Sequence, residues 1–430
     1  MINPPTQYYI FFVTAVRLKF RGIPRYGKIS LLRKNLTIGG FPMSHYNTIM
    51  QQLLTLIPRH HFARQVEAID ADRYVKTFTT WNQFTALLYA QASGKLSLRD
   101  IQNGIAAQGA KLYHIGLPDG VKRSTLSDAN KNRPCGVFEK LFYALLTRCK
   151  DITPQHKFRF KNPLYVYDAT TIDLCLSIFP WAKFRAAKGA IKLHCQLEHA
   201  GNLPVFIAAT DGKCNDVRAA KSFFNVVPDS IYCFDKGYTD FSWFRRIDIN
   251  RAFFVTRAKE NLKYAVVGQQ EVPTGGGVLS DEHIALSGFY SAQDYPGKLR
   301  LVRYYDPETD AILEFLTNNF ALAASTIARI YRARWQIEVF FKWIKQNLKI
   351  KSFLGTSPNA VMAQVWTAMC YYLLLTYIKY QTKYRFSIFY LHRVVREMLM
   401  ERISLVDLLN LNEARLDRLK CQGQDMLFQL

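Results

Sequence analysis

Acidic residues are scarce in this chain: its 430 residues carry 33 Asp or Glu against 57 Lys or Arg, a formal charge of +24. An imbalance of that size points to a polyanionic partner, nucleic acid ahead of a membrane surface, and is silent on reaction type. Paired cysteines are missing as well. Eight cysteines, at positions 135, 149, 175, 195, 214, 233, 370 and 421, form no C-x-x-C pair and no Cys/His ligand cluster. That argues against a structural zinc site and a secreted disulfide framework, and it fits a reducing cytosol. No repeat or low-complexity tract occurs. With 49% hydrophobic and 21% charged residues the composition is globular, and at roughly 150 residues per domain the length predicts two or three domains.

Long apolar runs are rare. Tyr8 to Val16 covers about half of the ~20 residues a membrane span needs. Ser352 to Ile378 carries no charge and is long enough, although Gly355, Pro358, Asn359 and Gln364 fall within it. A helix buried in a large domain gives the same pattern. With no second candidate span, a buried helix is the expectation and no membrane partner is expected.

The first 42 residues stand apart, with seven basic residues, no acid and weak periodicity. Two readings apply to this basic extension: a segment that is not native to the protein, which is favoured, or a DNA-tracking arm. Residues 43–150 read as a helical domain. One helix spans Thr80 to Ala92 and stops at Gly94, Ser97-Leu-Arg-Asp100 opens another with the form of a capping box, and further helices fit Ser124–Lys131 and Val137–Cys149. The second and third of these could form a loose helix-turn-helix, with Lys122, Arg123, Ser124, Thr125, Ser127 and Asn130 toward DNA. A solvated helix face explains the same residues equally well.

From 163 the pattern turns to strands. Leu164-Tyr-Val-Tyr-Asp168 and Ser230-Ile-Tyr-Cys-Phe-Asp235 read as short buried strands, each ending in a carboxylate. Strands at Ile191–Leu197, Val205–Ala209 and Ala252–Thr256, with helices near Val217–Phe224 and Phe241–Ile247, complete the order β-β-β-α-β-α-β. That order predicts an α/β fold with a ribonuclease-H-like core over 160–257 plus 319–352. Residues 258–318 form a β-rich insertion into it, with a hairpin around Asp306-Pro-Glu. Ala323 to Leu348 reads as one long helix, and 353–430 as a helical C-terminal region.

In this topology the first and fourth strands are neighbours, so Asp168 and Asp235 meet at one sheet edge, where open α/β sheets place their ligands. Two carboxylates that close repel unless a cation neutralises them, and Mg²⁺ prefers such oxygen ligands. A third acid comes from the helix after the insertion. With Tyr331 at 0°, Arg334, Glu338 and Lys345 project at about −60°, −20° and −40°, along roughly 21 Å of helix axis. One carboxylate among two cations and a phenol suits a metal ligand beside DNA phosphates.

These residues carry a resemblance. Tyr331-x2-Arg334-x3-Glu338-x6-Lys345 resembles the Y-R-E-K signature of the DDE transposases of bacterial insertion sequences, of the fourth insertion-sequence family. Asp168-Ala-Thr170 resembles that family's first-Asp motif, and Asp235-Lys-Gly237-Tyr238 its second. The likeness covers about 160–350, and 43–150 looks like the helical N-terminal domain of one branch. It implies Asp168, Asp235 and Glu338 as catalytic metal ligands and two Mg²⁺ ions, for which Mn²⁺ may substitute. The nucleophile would be water or a 3′-hydroxyl, and the protein would act as a dimer on terminal inverted repeats and target DNA, in the bacterial cytoplasm. The 103-residue gap from Asp235 to Glu338 agrees with the family's insertion. Members that excise through a DNA hairpin hold a flipped base with a tryptophan there, whereas 258–318 has no Trp and offers Phe289, Tyr290, Tyr295, Tyr304 and Tyr305 instead.

The expected function is therefore two-metal cleavage of insertion-sequence ends and their joining to target DNA. A ribonuclease-H-like nuclease that cuts without joining is the nearest alternative, and a non-catalytic DNA-binding relative the next. His60, His61, His194 and His199 read as surface or core residues, and Asp173, Asp211 and Asp216 as loop and cap residues. Phe179-Pro-Trp-Ala-Lys-Phe-Arg185 fits either a packed loop or a DNA-stacking element.

Overall fold

Six α-helices precede the sheet among the described residues, which in this computed structural model are 47–174, 177–185, 188–272, 276–347 and 353–410. The extension 1–42 and the end of the chain lie outside them. The helices are α1 (Ile49–Thr55), α2 (Arg59–Ala68), α3 (Thr80–Ser93), α4 (Leu98–Ala106), α5 (Arg123–Asn132) and α6 (Gly136–Lys150). Local chemistry sets their ends. Thr79 and Asn82 form a capping box on α3, and Gly94 closes it at φ 71°, a conformation that costs glycine little. The Ser97 hydroxyl accepts from the Asp100 amide to start α4.

The sheet is built outward from β1 (Leu164–Leu174). β2 (Lys183–Arg185), β3 (Lys188–Glu198) and β4 (Leu203–Asp211) add antiparallel strands on one side. β5 (Ile231–Cys233) and β6 (Phe253–Arg257) lie parallel to β1 on the other, through crossovers that contain α7 (Asp216–Phe223) and α8 (Phe241–Ile249). The order β4-β3-β1-β5-β6 with these directions is the ribonuclease-H-like arrangement. One boundary differs from the sequence reading: β1 does not end at Asp168 but runs six residues further, paired to β3 as far as Leu174↔Gly189.

The insertion continues this sheet. β7 (Tyr264–Gln269), β8 (Val278–Leu286), β9 (Lys298–Asp306) and β10 (Ala311–Thr317), with α9 (Phe289–Asp294), extend it because β10 pairs antiparallel with β6. The expected single helix over 323–348 is instead two, α10 (Ala324–Ala333) and α11 (Trp335–Asn347). At the junction, the Arg334 amide donates to Tyr331 O and the Ile337 amide to Arg334 O, both three residues back. These tighter bonds interrupt the four-residue ladder without a proline or glycine.

α12 (Pro358–Gln381) and α13 (Ile388–Glu397) follow. α12 is long and apolar enough to cross a membrane, yet 94% of its most apolar window is buried inside the protein. It packs on α6 and α3. Asn359 pins its start to the N-terminal helices: its side chain donates to Asn130 O and Arg133 O and accepts from the Cys135 amide.

Candidate active site

β1 and β5 stay paired only as far as Val166↔Cys233. Two residues beyond that last pair, on each chain, stand Asp168 and Asp235. Alternation puts them on the face of Val166 and Cys233, at the point where the two segments part. Asp168 Oδ1 accepts from the Ala169 amide at 2.8 Å. Asp235 caps a single turn, Lys236–Tyr238, by accepting from the Gly237 amide at 3.2 Å.

The α10–α11 junction closes over this edge. The Tyr331 hydroxyl donates to Asp235 Oδ1 at 3.4 Å. Arg334 lies with Nη1 3.6 Å from Asp168 Oδ2 and Nη2 2.5 Å from Glu338 Oε1, its guanidinium 5.6 Å from the centre of the Tyr331 ring. Residues far apart in sequence, three carboxylates, a phenol and a guanidinium, thus meet at one place.

Burial dominates the electrostatics. It raises the Asp168 carboxyl to about 6, with Asp235 and Glu338 adding to the rise and the Ala169 amide and Arg334 opposing it. Burial would lower the Arg334 pKa, but the phenol of Tyr331 and the carboxylates of Glu338 and Asp168 outweigh it and hold the guanidinium charged. Burial also raises the Tyr331 phenol, which stays a neutral donor.

The donor set is all carboxylate oxygen, which suits a hard divalent cation such as Mg²⁺ or Mn²⁺. Asp168 in particular is a half-buried carboxyl with two others near it, and a cation would favour its ionised form. Among the described residues no three His, Cys, Asp or Glu side chains, these included, are gathered closely enough to hold a metal ion as they stand. Arg334 is the positive charge that lies between Asp168 and Glu338.

The other sequence candidates lie elsewhere. Lys345 is seven residues beyond Glu338, roughly 10 Å further along α11 at 1.5 Å per residue. Lys122, Arg123 and Ser124 are exposed at the start of α5 and Thr125 is half-buried, with the Arg123 amide donating to Gln102 of α4. Asn130 cannot face DNA: it is buried, its Oδ1 accepts from Gln83 at 2.9 Å and its carbonyl from Asn359. Asp211 accepts from the Cys214 amide as a turn residue, and Asp216 pairs with Lys192 at 3.0 Å. Phe179 and Trp181 pack on the segment before α12, through Phe353 and the Thr356 carbonyl, so the packed-loop reading holds for them. The motif reading passed over the alternation Lys157-Phe158-Arg159-Phe160-Lys161, although the sequence displays it openly.

A ribonuclease-H-like sheet with carboxylates gathered where its two central parallel strands part is an architecture of enzymes that act on nucleic-acid phosphodiesters. Residues 159–374 match the transposase DDE domain family, and residues 45–118 match DUF4372, a domain family of unknown function. The chain belongs to the DDE transposase family. A Sinorhizobium fredii protein named as transposase y4zB is 34% identical over 254 residues, 58% of this chain and 69% of that one. One from Geobacillus stearothermophilus, named as the transposase of insertion sequence element IS5377, is 27% identical over 79% of this chain and 87% of its own. A third, from Synechocystis and named for insertion sequence element IS4SA, is 23% identical over 59% and 70%. The protein is thus a DNA transposase of the insertion-sequence type, a metal-dependent DNA-cleaving enzyme.

Proposed function

We propose that Asp168, Asp235 and Glu338 are the catalytic acids of this transposase, and that they hold two divalent cations, Mg²⁺ or in its place Mn²⁺. The observation that supports this is that Arg334 contacts Asp168 of β1 and Glu338 of α11, while Tyr331, on the same helix junction, contacts Asp235 just beyond β5. When bound, the cations supply Lewis-acid activation of the attacking oxygen and charge neutralisation at the leaving 3′-oxygen. The residues of the chain do the rest. Tyr331 orients Asp235 through its hydroxyl, and Arg334, with Lys345 further along α11, takes phosphate oxygens of the cleaved end. An Arg suits that task because its fork binds phosphate at two points.

In this reading water first cleaves the element end. The freed 3′-hydroxyl then attacks a target phosphorus in line, forming a new P–O bond as the bond to the target's own 3′-oxygen breaks, while the hydroxyl proton passes to solvent. Residues 43–150 form a DNA-binding domain in which Lys122, Arg123, Ser124 and Thr125 face the terminal inverted repeats. Residues 160–257 plus 319–352 are the catalytic core, 258–318 its insertion and 353–430 the C-terminal region. Two copies act on paired ends in the bacterial cytoplasm.

The test combines Asp168→Asn, Asp235→Asn and Glu338→Gln with precut and intact ends. Each variant is expected to lose cleavage and strand transfer at least a thousandfold while binding end DNA, because a carboxamide removes metal ligation and adds no repulsion. Substantial cleavage by any one removes that residue from the set. Cleavage by wild type without transfer of precut ends would make the enzyme a nuclease only.

A further inference from the structure

At the start of the matched transposase domain, residues 156–162 form a segment whose alternation the structure makes physical. Phe158 and Phe160 turn inward and stack at 5.0 Å, with His156 4.9 Å from Phe160 and His199 5.5 Å from Phe158. The loop is closed where His156 Nε2 meets Asn162 O at 2.8 Å. The intervening residues, Lys157, Arg159 and Lys161, are exposed. Arg329 of α10, also exposed, lies over the Phe158 ring at 5.3 Å. Among the described residues none of the four forms a salt bridge, although Lys150 nearby pairs with Glu198 and Lys192 with Asp216.

An aromatic base that fixes every second residue holds the outward cations in place without regular secondary structure. Successive cations are two residues apart, at most about 7 Å along the chain. A row of unpaired charges at that spacing can follow the backbone phosphates of one strand, which come every ~3.4 Å of axis, with about two phosphate steps per cation. The row is also separate from the candidate active site. Arg329 and Tyr331 differ by about 200° around α10, so the helix shows one face to Phe158 and the opposite one to Asp235.

We propose that Lys157, Arg159 and Lys161, extended by Arg329, form a second DNA-backbone contact surface behind the α10–α11 junction, one that grips duplex DNA away from the reacting phosphate.

The experiment compares the full chain with a variant carrying Lys157→Gln, Arg159→Gln and Lys161→Gln, titrated by fluorescence anisotropy from 50 to 200 mM salt. Two duplexes are used, an element end and an unrelated sequence of equal length. A control variant carries Arg245→Gln, Arg251→Gln and Lys298→Gln, three exposed cations with no such base. Three lost contacts flatten the salt slope by about 2.7, so wild type should lose about 40-fold more affinity than the variant across that range. Unchanged melting temperature excludes misfolding, and it is expected because the three side chains make no hydrogen bond among the described residues. Equal flattening on both duplexes assigns the surface to DNA in general, and flattening on the end alone assigns it to the element's own DNA. Parallel salt lines for variant and wild type overturn the proposal, and so does equal flattening in the control. Because the readout is binding, it is independent of whether Asp168, Asp235 and Glu338 are the catalytic acids.

Discussion

Arg334 Nη2 and Glu338 Oε1 stand 2.5 Å apart, one turn from each other across the junction of α10 and α11. The guanidinium does not serve its own helix alone. It also comes within 3.6 Å of Asp168. One cation thereby links the helix to the central strand, and its charge offsets the mutual repulsion of the carboxylates around it.

Arg334→Ala should therefore act more broadly than Lys345→Ala. Both are expected to weaken engagement of a precut end more than overall DNA binding, Arg334→Ala by tenfold or more, since a lost charge-assisted hydrogen bond costs roughly 1.5–3 kcal/mol. Arg334→Ala alone should also perturb the carboxylates it faces. Titrating both variants against precut ends across a salt series checks this. If the two losses are equal, or depend on end sequence, the phosphate-clamp role assigned to Arg334 is wrong.

Much of this site was legible in local sequence. Leu164-Tyr-Val-Tyr-Asp168 is apolar enough to read as a buried strand, and Gly94 and Ser97 mark helix ends whatever surrounds them. The misses share a cause. Ala169-Thr-Thr-Ile-Asp-Leu174 has too few apolar residues to announce a strand, and it forms one because β3 lies beside it. Asn130 looks like a surface residue until Gln83 and Asn359, 47 and 229 positions away, bury it. The break at Arg334 has no proline or glycine to signal it. Likewise the insertion joins the core sheet through β10–β6, a pairing between segments some sixty residues apart that no local pattern encodes.

The insertion is also tied to the site through a buried ion pair. Arg300 Nε and Nη2 donate to the two carboxylate oxygens of Asp281 at 2.7 and 2.6 Å, and Nη1 donates to Asn319 O and Leu322 O, just before α10. Removing one partner leaves a buried charge unpaired, which costs about 3–5 kcal/mol. Arg300→Met should lower the urea midpoint accordingly, and the double variant Arg300→Met, Asp281→Leu should recover much of the loss. Hydrogen exchange in α10 should quicken in the single variant. A single variant as stable as wild type would show that the pair does not anchor the helix start.

The remaining prediction concerns pH and His194. The imidazole is buried on β3, with Nε2 2.9 Å from Thr210 Oγ1 and Nδ1 without a hydrogen-bond partner among the described residues. Burial pulls its pKa down from 6.5 to about 4, with Lys192 lowering it further and Asp216 opposing. A base whose folded pKa is depressed stays neutral in the native state, so unfolding takes up a proton anywhere between those two values. Its contribution is complete above pH 6.5 and is lost as pH falls toward 4. At 1.36 kcal/mol per unit the loss amounts to roughly 3 kcal/mol. His194→Gln keeps a polar group toward Thr210 and cannot titrate in this range. The variant should therefore lose less stability than wild type between pH 6.5 and 4, whatever its stability at pH 7. Urea midpoints at pH 7.0, 5.5 and 4.5 for both proteins provide the measurement. Parallel profiles would mean that His194 is protonated in the folded protein as readily as in the unfolded chain, and the acid sensitivity would then have to be sought in other groups.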